Sequence, residues 1–386
     1  MPLDTRRREG FALATSIVAI VLIGLLIAGT FFGSTQEFRA GRNALYQERA
    51  LTAAEFGQNE VLKDWSTPSA MAMKAGDVTS HTVTVQDGAV ADVRVTKLNM
   101  LTFAVVSEAR AEAGTDVAAR RRTGMLIRLD IPDLRIVGAL TTAKQTGVTG
   151  TGSLGGTDVN PTGWDCDAPG PAKAGIVNDD AADVTASGAC GGFSCVSGTP
   201  KVAEDPLAGD PDTYNEFGGI SYDSLASDAN VVIPTSGTTL FTGIGPIISG
   251  GVCDLSDPKN WGDVNRNSTT PGMCESYFPI IHATGSGTLE VSTGKGQGIL
   301  LIDGNFKMAG NFEFYGPIIV KGNFLSEGTG NKVVGGVMVM NENCTSGTCN
   351  EVKGNSHLQY SRCALLATLI PRATPVLASR SWADMF

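Results

Sequence analysis

Residues 6–33 read RRREGFALATSIVAIVLIGLLIAGTFFG. No charged side chain occurs in 11–33. As a helix these residues rise about 34 Å at ~1.5 Å each, enough to cross a hydrocarbon layer of ~30 Å. Arg6, Arg7 and Arg8 precede the run and hold that end on the cytoplasmic side. A secretory signal has a shorter apolar stretch, ~7–15 residues, with a small-residue cleavage site after it. Here the small residue, Gly10, stands before the run. A cut between Gly10 and Phe11 removes the charges and leaves the helix attached.

The helical pattern continues past the membrane. In STQEFRAGRNALYQERALTAAEFGQNEVLK (34–63), Ala44, Leu51, Ala54 and Val61 fall on one stripe. Trp65, Ser66, Thr67 and Pro68 end it. From His81 the period becomes two. HTVTV (81–85), AVADVRV (89–95) and TFAVV (102–106) read as strands, with Asp87-Gly88 as a hairpin turn between the first two. A fourth strand is expected within 120–129, and Arg120, Arg121 and Arg122 read as a solvated edge.

Glycine is 48 of 386 residues, and the repeats explain why. LIDGNF (301–306) returns as IVKGNF (319–324), so Gly304 and Gly322 are one step apart, and GGVMVM (335–340) begins the next apolar strand. Short apolar strands between Gly/Asn corners at a period near twenty predict a β-solenoid. VGALTTAKQTGVTGTGSLGGTD (137–158) has the same texture and starts it. A β-sandwich with Gly-rich turns is the alternative. Asp303 and Lys321 occupy equivalent places in the repeat, as an ion-pair ladder requires.

Several function classes are disfavoured by composition and motif. The formal charge of −10 offers no basic surface, so no nucleic acid is expected as a partner. No nucleophile motif, phosphate loop or facing carboxyl pair stands out, and the chain reads as no enzyme. The eight cysteines, Cys166, Cys190, Cys195, Cys253, Cys274, Cys344, Cys349 and Cys363, all follow the membrane segment. An even count in an exported domain suits disulfides better than zinc. Cys344/Cys349 and Cys190/Cys195 are spaced to close small loops, and Cys253/Cys274 to pin the loop between them. Cys166 and Cys363 remain, with no connectivity fixed by sequence. Asp263, Asn265 and Asn267 alternate as in the opening of a calcium loop, but Ser268 and Cys274 replace its Gly and Glu. Calcium is the one weak cofactor candidate, and an Asx-turn loop the alternative.

Arg8-Glu9-Gly10-Phe11-Ala12-Leu13 resembles the class III, prepilin-type leader of type IV pilins and type II secretion pseudopilins. TAAE (52–55), residues 296–324, YSRCALL (360–366) and Arg380-Ser-Trp382 resemble PilX-like minor pilins, type IV pilus assembly proteins with Gly-rich C-terminal regions. Thr15 stands where the resemblance implies a Glu in major subunits, which points to a minor subunit. The resemblance implies cleavage by prepilin peptidase after Gly10. It also implies other pilin subunits and the inner-membrane assembly machinery as partners. The lipid bilayer holds the helix before assembly and the cell-surface pilus afterwards, with the C-terminal domain periplasmic or extracellular.

The expected fold class is α+β. Residues 1–10 are the leader, 11–65 the helix with 11–33 in the membrane, and 66–134 a pilin-like β-sheet region. Residues 135–386 form a Gly-rich β-solenoid domain with a long disulfide-pinned insertion at about 161–279. The alternative function is a membrane-anchored adhesin or carbohydrate-binding β-solenoid that never enters a fibre.

Overall fold

The computed structural model describes residues 9–385 except 86–88, 114–115, 267–273, 343, 345–346 and 348. Helix α1 spans Glu9–Lys63, 55 residues without a break. A short helix α2, Thr67–Ala72, follows, capped by Ser66, whose hydroxyl accepts from the Ser69 N–H. The expected stripe is buried only toward its C-terminal end. Ala50, Ala53 and Ala54 are buried and Leu51 and Val61 half-buried, but Ala44 is exposed because the sheet does not reach so far. Small residues let helix and sheet approach closely: a Cβ on Gly57 would stand 2.8 Å from the Cβ of Ala91.

That sheet is antiparallel: β1 (Val78–Thr84), β2 (Val90–Lys97), β3 (Thr102–Ala113) and β4 (Asp116–Asp130) pair in chain order. The Asp87-Gly88 turn lies outside the described residues. Along β2, Ala91, Val93, Val95 and Lys97 are buried while Arg94 is exposed, the period-two pattern of a sheet with one wet face. The sheet is completed from the far end of the chain: Thr374–Leu377 and Ala383–Met385 both pair antiparallel with β4. This corrects the expected division, which gave the C-terminal tail to the Gly-rich domain. Val376 and Met385 find their partners more than 200 residues upstream, a pairing that no local pattern encodes.

Between residues 138 and 360 seventeen strands pair in parallel to form one sheet, and two small hairpins, at 216–221 and 248–253, pair antiparallel beside it. They stack in three columns. In the first, Val231, Ile281, Leu300, Ile318, Val337, Leu140, Ile176 and Val202 are successive neighbours. In the second, Leu289, Phe306 and Phe324 follow one another. In the third, Phe314, Val333, Leu358, Leu154 and Val196 do so. Strand Asn305–Val320 passes through all three columns, turning at Gly310 (φ 106°) and Gly316 (φ 136°), left-handed values that favour glycine. The 18-residue repeat read from Gly304 and Gly322 is the register: Phe306 faces Phe324 and Leu301 faces Ile319.

Stacking order and chain order differ. Residues 138–155 lie on 337–358, so the chain enters the stack in its middle. It climbs through 174–178 to 202–204, then returns to the other end at 231 and winds back to the middle. This corrects the reading of 161–279 as an insertion. Strands Ala174–Asn178, Val184–Ala186, Val196–Ser197, Val202–Glu204, Val231–Pro234 and Thr238–Phe241 are integral to the sheet. No sequence signal marks them, because each has five residues or fewer, set among polar loops.

The return segment, 205–230, straps the outside of the first column. Ala208 packs on Ala174 and Val177, and the Tyr222 hydroxyl donates to Asp303 Oδ1 at 2.9 Å. The strap explains the uninterrupted burial of Ile299–Ile302, since both faces of that strand are covered. Each fully buried aliphatic or aromatic side chain contributes roughly 1.5–3 kcal/mol. The helix Arg362–Leu369, buried from Cys363 to Leu369, sits at the seam with the small sheet. There Trp164, Phe278 and Tyr315 share one core with Phe103, Ile127 and Leu129.

Candidate functional site

The candidate site is the uncovered part of α1. Phe11, Leu25 and Phe31 are 75, 65 and 75% exposed, and almost nothing in the chain covers residues 11–49. The helix from Phe11 is long and apolar enough to cross a membrane and is a candidate anchor. Four hydroxyls along it bond back to the helix backbone. Thr15 Oγ1 donates to the carbonyl of Ala12 or Phe11, and Ser16 Oγ to that of Ala12 or Leu13. Thr30 and Thr35 do the same. Such back-bonding leaves no hydroxyl proton seeking a partner in lipid. Gly10 and Phe11 lie in the first turn of α1, and Arg6, Arg7 and Arg8 fall outside the described residues.

The other end of α1 is held firmly. Gln58 is 2% exposed, with its amide directed at the Val105 carbonyl, 3.5 Å away. Lys97, though charged, is buried beneath α2, where its ammonium donates to the carbonyls of Met73 (2.7 Å) and Ala70 (3.4 Å). Burial pushes its pKa down, against the pull of Asp165, Asp167 and Asp77. One rod therefore has a fixed end and a bare stretch that is apolar over 11–33 and polar over 34–49, a division suited to packing its apolar part against something outside the chain.

All eight cysteines pair. Cys190–Cys195, Cys253–Cys274 and Cys344–Cys349 close local loops, and Cys166–Cys363 joins residues 197 apart at the seam. The calcium candidate fits poorly. Asp263 is buried, and its Oδ1 accepts from the Asn265 N–H at 2.9 Å, as in an Asx turn. Asn267 lies outside the described residues. Asp263 and Glu275 act electrostatically on Arg266, whose guanidinium lies 4.5 Å from the Trp164 ring. That fixed positive charge opposes a cation in the loop.

The expected Asp303–Lys321 ladder is replaced by a latch. Asp303 Oδ1 receives Tyr222 and lies 3.0 Å from His282 Nε2, while Lys321 Nζ sits 4.0 Å above the Tyr222 ring. Burial and the Asp303 charge push the Tyr222 pKa up, so the phenol keeps the proton that it donates. The ladder runs on the outer side of the second column instead. Lys307 bridges Glu290 (3.4 Å) and Glu327 (2.9 Å), and Lys353 bridges Glu327 (3.5 Å) and Glu351 (2.8 Å). The 17- and 18-residue offsets among Glu290, Lys307 and Leu325 carried the signal for that column. The strap that displaced the other ladder carried none.

No family model and no curated protein matches the chain. Among solved structures, the competence-associated pilin ComZ from Thermus thermophilus aligns over 87% of this chain and 96% of its own, at 12% identity and a TM-score of 0.25. A likeness at that score carries no weight for fold or function.

Proposed function

We propose that the chain is a minor, pilin-like subunit of a type IV pilus or related fibre. One observation carries the reading: a single 55-residue helix is anchored by 50–61 on its own antiparallel sheet and leaves 11–49 almost bare. Its uncharged part, 11–33, is stable in a bilayer, and equally at the centre of a bundle of identical or related helices. The basic leader and the Gly10–Phe11 junction supply what prepilin peptidase requires by resemblance. Thr15, self-bonded, dispenses with the neutralising contact that a carboxylate at that place needs.

In this reading the inner-membrane assembly machinery extracts the mature subunit, and other pilin subunits enclose its helix. The Gly-rich domain is a three-sided β-solenoid, entered in mid-stack, that the fibre displays. Its role is adhesion or assembly and not catalysis. The competing role, an anchored surface adhesin outside any fibre, parts from this one at Gly10. Gly10→Val is expected to abolish processing and to remove the protein from sheared surface fibres while leaving its level in the membrane unchanged. Undiminished recovery of Gly10→Val in the sheared fraction contradicts the proposal.

A further inference from the structure

We propose that β1 and the groove beside it take an extended, basic segment of another polypeptide as an added strand of the small sheet. β1 is an open edge. Six of its seven residues are exposed, and its sequence, VTSHTVT, has no Pro, Lys or acidic residue. Proteins commonly blunt an edge with such residues. The opposite edge is blunted, since Thr374–Leu377 carries Pro375 and is followed by a separate three-residue strand.

The backbone of β1 is set for pairing. The Lys97 N–H donates to the Asp77 carbonyl (3.0 Å) and the Val85 N–H to that of Ala89 (2.9 Å). Odd-numbered residues therefore bond β2, and Val78, Ser80, Thr82 and Thr84 turn their N–H and C=O groups outward. An added strand would place every second side chain on the helix side of the sheet.

On that side lies a groove of about 530 Å³ between β1, the end of α1 and α2, with Val61, Trp65, Met73, Val83 and Val95 in its walls. The α2 wall is pinned by Lys97 through the Met73 and Ala70 carbonyls. The Trp65 indole N–H is buried with no acceptor among the described residues. Charge identifies the occupant. Among the described residues Glu60 and Asp64 line the groove and no Lys or Arg does; Lys63 pairs with Glu60 (3.3 Å), whereas Asp64 has no cation within ion-pair distance. An extended segment with alternating apolar side chains and a flanking basic residue meets all of these demands.

The test uses the full chain in detergent and a fluorescein-labelled peptide, Lys-Val-Thr-Val-Thr-Val-Lys, followed by anisotropy. Saturable binding is expected, at least about tenfold weaker for the Glu-flanked peptide, a difference of about 1.4 kcal/mol. Ser80→Pro places proline where the N–H faces solvent, so the β1–β2 ladder survives and binding should be lost with the circular dichroism unchanged. Asp64→Asn, which leaves the strand untouched, should remove most of the preference for Lys. Absence of saturable binding, or equal binding by Ser80→Pro, overturns the proposal. A dimer that Ser80→Pro converts to monomer, without peptide binding, also overturns it and makes a second copy the occupant.

Discussion

The molecule builds its two large sheets by opposite rules. The antiparallel sheet keeps one face on α1 and one in water, and its strands alternate accordingly. The parallel stack closes around its own interior, and where the strap covers it the strands are apolar throughout, as in Ile299–Ile302. In the first, side chains set the spacing between helix and sheet. In the second, backbone meets backbone, and glycine decides whether successive turns of chain can approach.

Glycine substitution breaks that comparison most sharply. A Cβ on Gly316, at φ 136°, would lie 2.1 Å from the Gly298 carbonyl oxygen, which cannot move without its neighbours. A Cβ on Gly124 in β4 would meet the end of the Met385 side chain, which can swing away. Gly316→Val should therefore cost more than about 4 kcal/mol and leave the stack unfolded, while Gly124→Ala should cost less than about 1 kcal/mol. Thermal melts followed by circular dichroism decide it, and equal losses in the two variants would erase the distinction.

The second difference lies in polar groups inside the stack. Asn331 is fully buried. Its Oδ1 accepts from the Phe312 N–H (3.2 Å), and its Nδ2 donates to the carbonyls of Met308 (3.0 Å) and Glu327 (2.7 Å). Asn331→Ala strands these groups and should cost about 2–3 kcal/mol in urea unfolding. Thr82 on the small sheet, hydrogen-bonded to Asp92 at the surface, should lose less than about 0.5 kcal/mol on conversion to Val.

The smallest effect belongs to the outer ladder. Lys307 holds the Glu327 carboxyl below the usual carboxylate range, and the two glutamates raise the Lys307 pKa. The depressed Glu327 contributes stability at neutral pH that is lost as pH falls through its folded pKa. The raised Lys307 contributes stability that is lost only as pH rises beyond the ordinary lysine range. Lys307→Ala should lower stability by about 0–1 kcal/mol at pH 7. Melts at pH 7 and pH 3 should show the wild-type advantage shrinking at pH 3, and an advantage that grows there would contradict the ladder.

These contrasts also mark what can be read from sequence. The apolar run 11–33, the alternation in β2 and the 18-residue step from Gly304 to Gly322 are local signals; the structure makes the first part of one unbroken helix and places the other two in register. Leu154 beside Leu358, and Val376 beside Arg128, join residues some 200 or more positions apart. Mid-stack entry leaves no periodic trace, because 138–155 looks like any other turn of the repeat. The latch at Asp303 was hidden for a related reason: Tyr222 arrives on a strap whose sequence is neither repetitive nor strongly apolar. The bare half of α1, in contrast, was legible from 11–33 alone, because the absence of charge over that length has few physical solutions.

The proposed fibre subunit would bury its bare helix in the fibre core once the leader is removed. Amino-terminal sequencing of the protein from membrane and sheared-surface fractions tests it most directly. A chain beginning at Phe11 is expected in the sheared fraction. A chain beginning at Met1 and confined to the membrane would contradict it and leave an anchored β-rich binding protein.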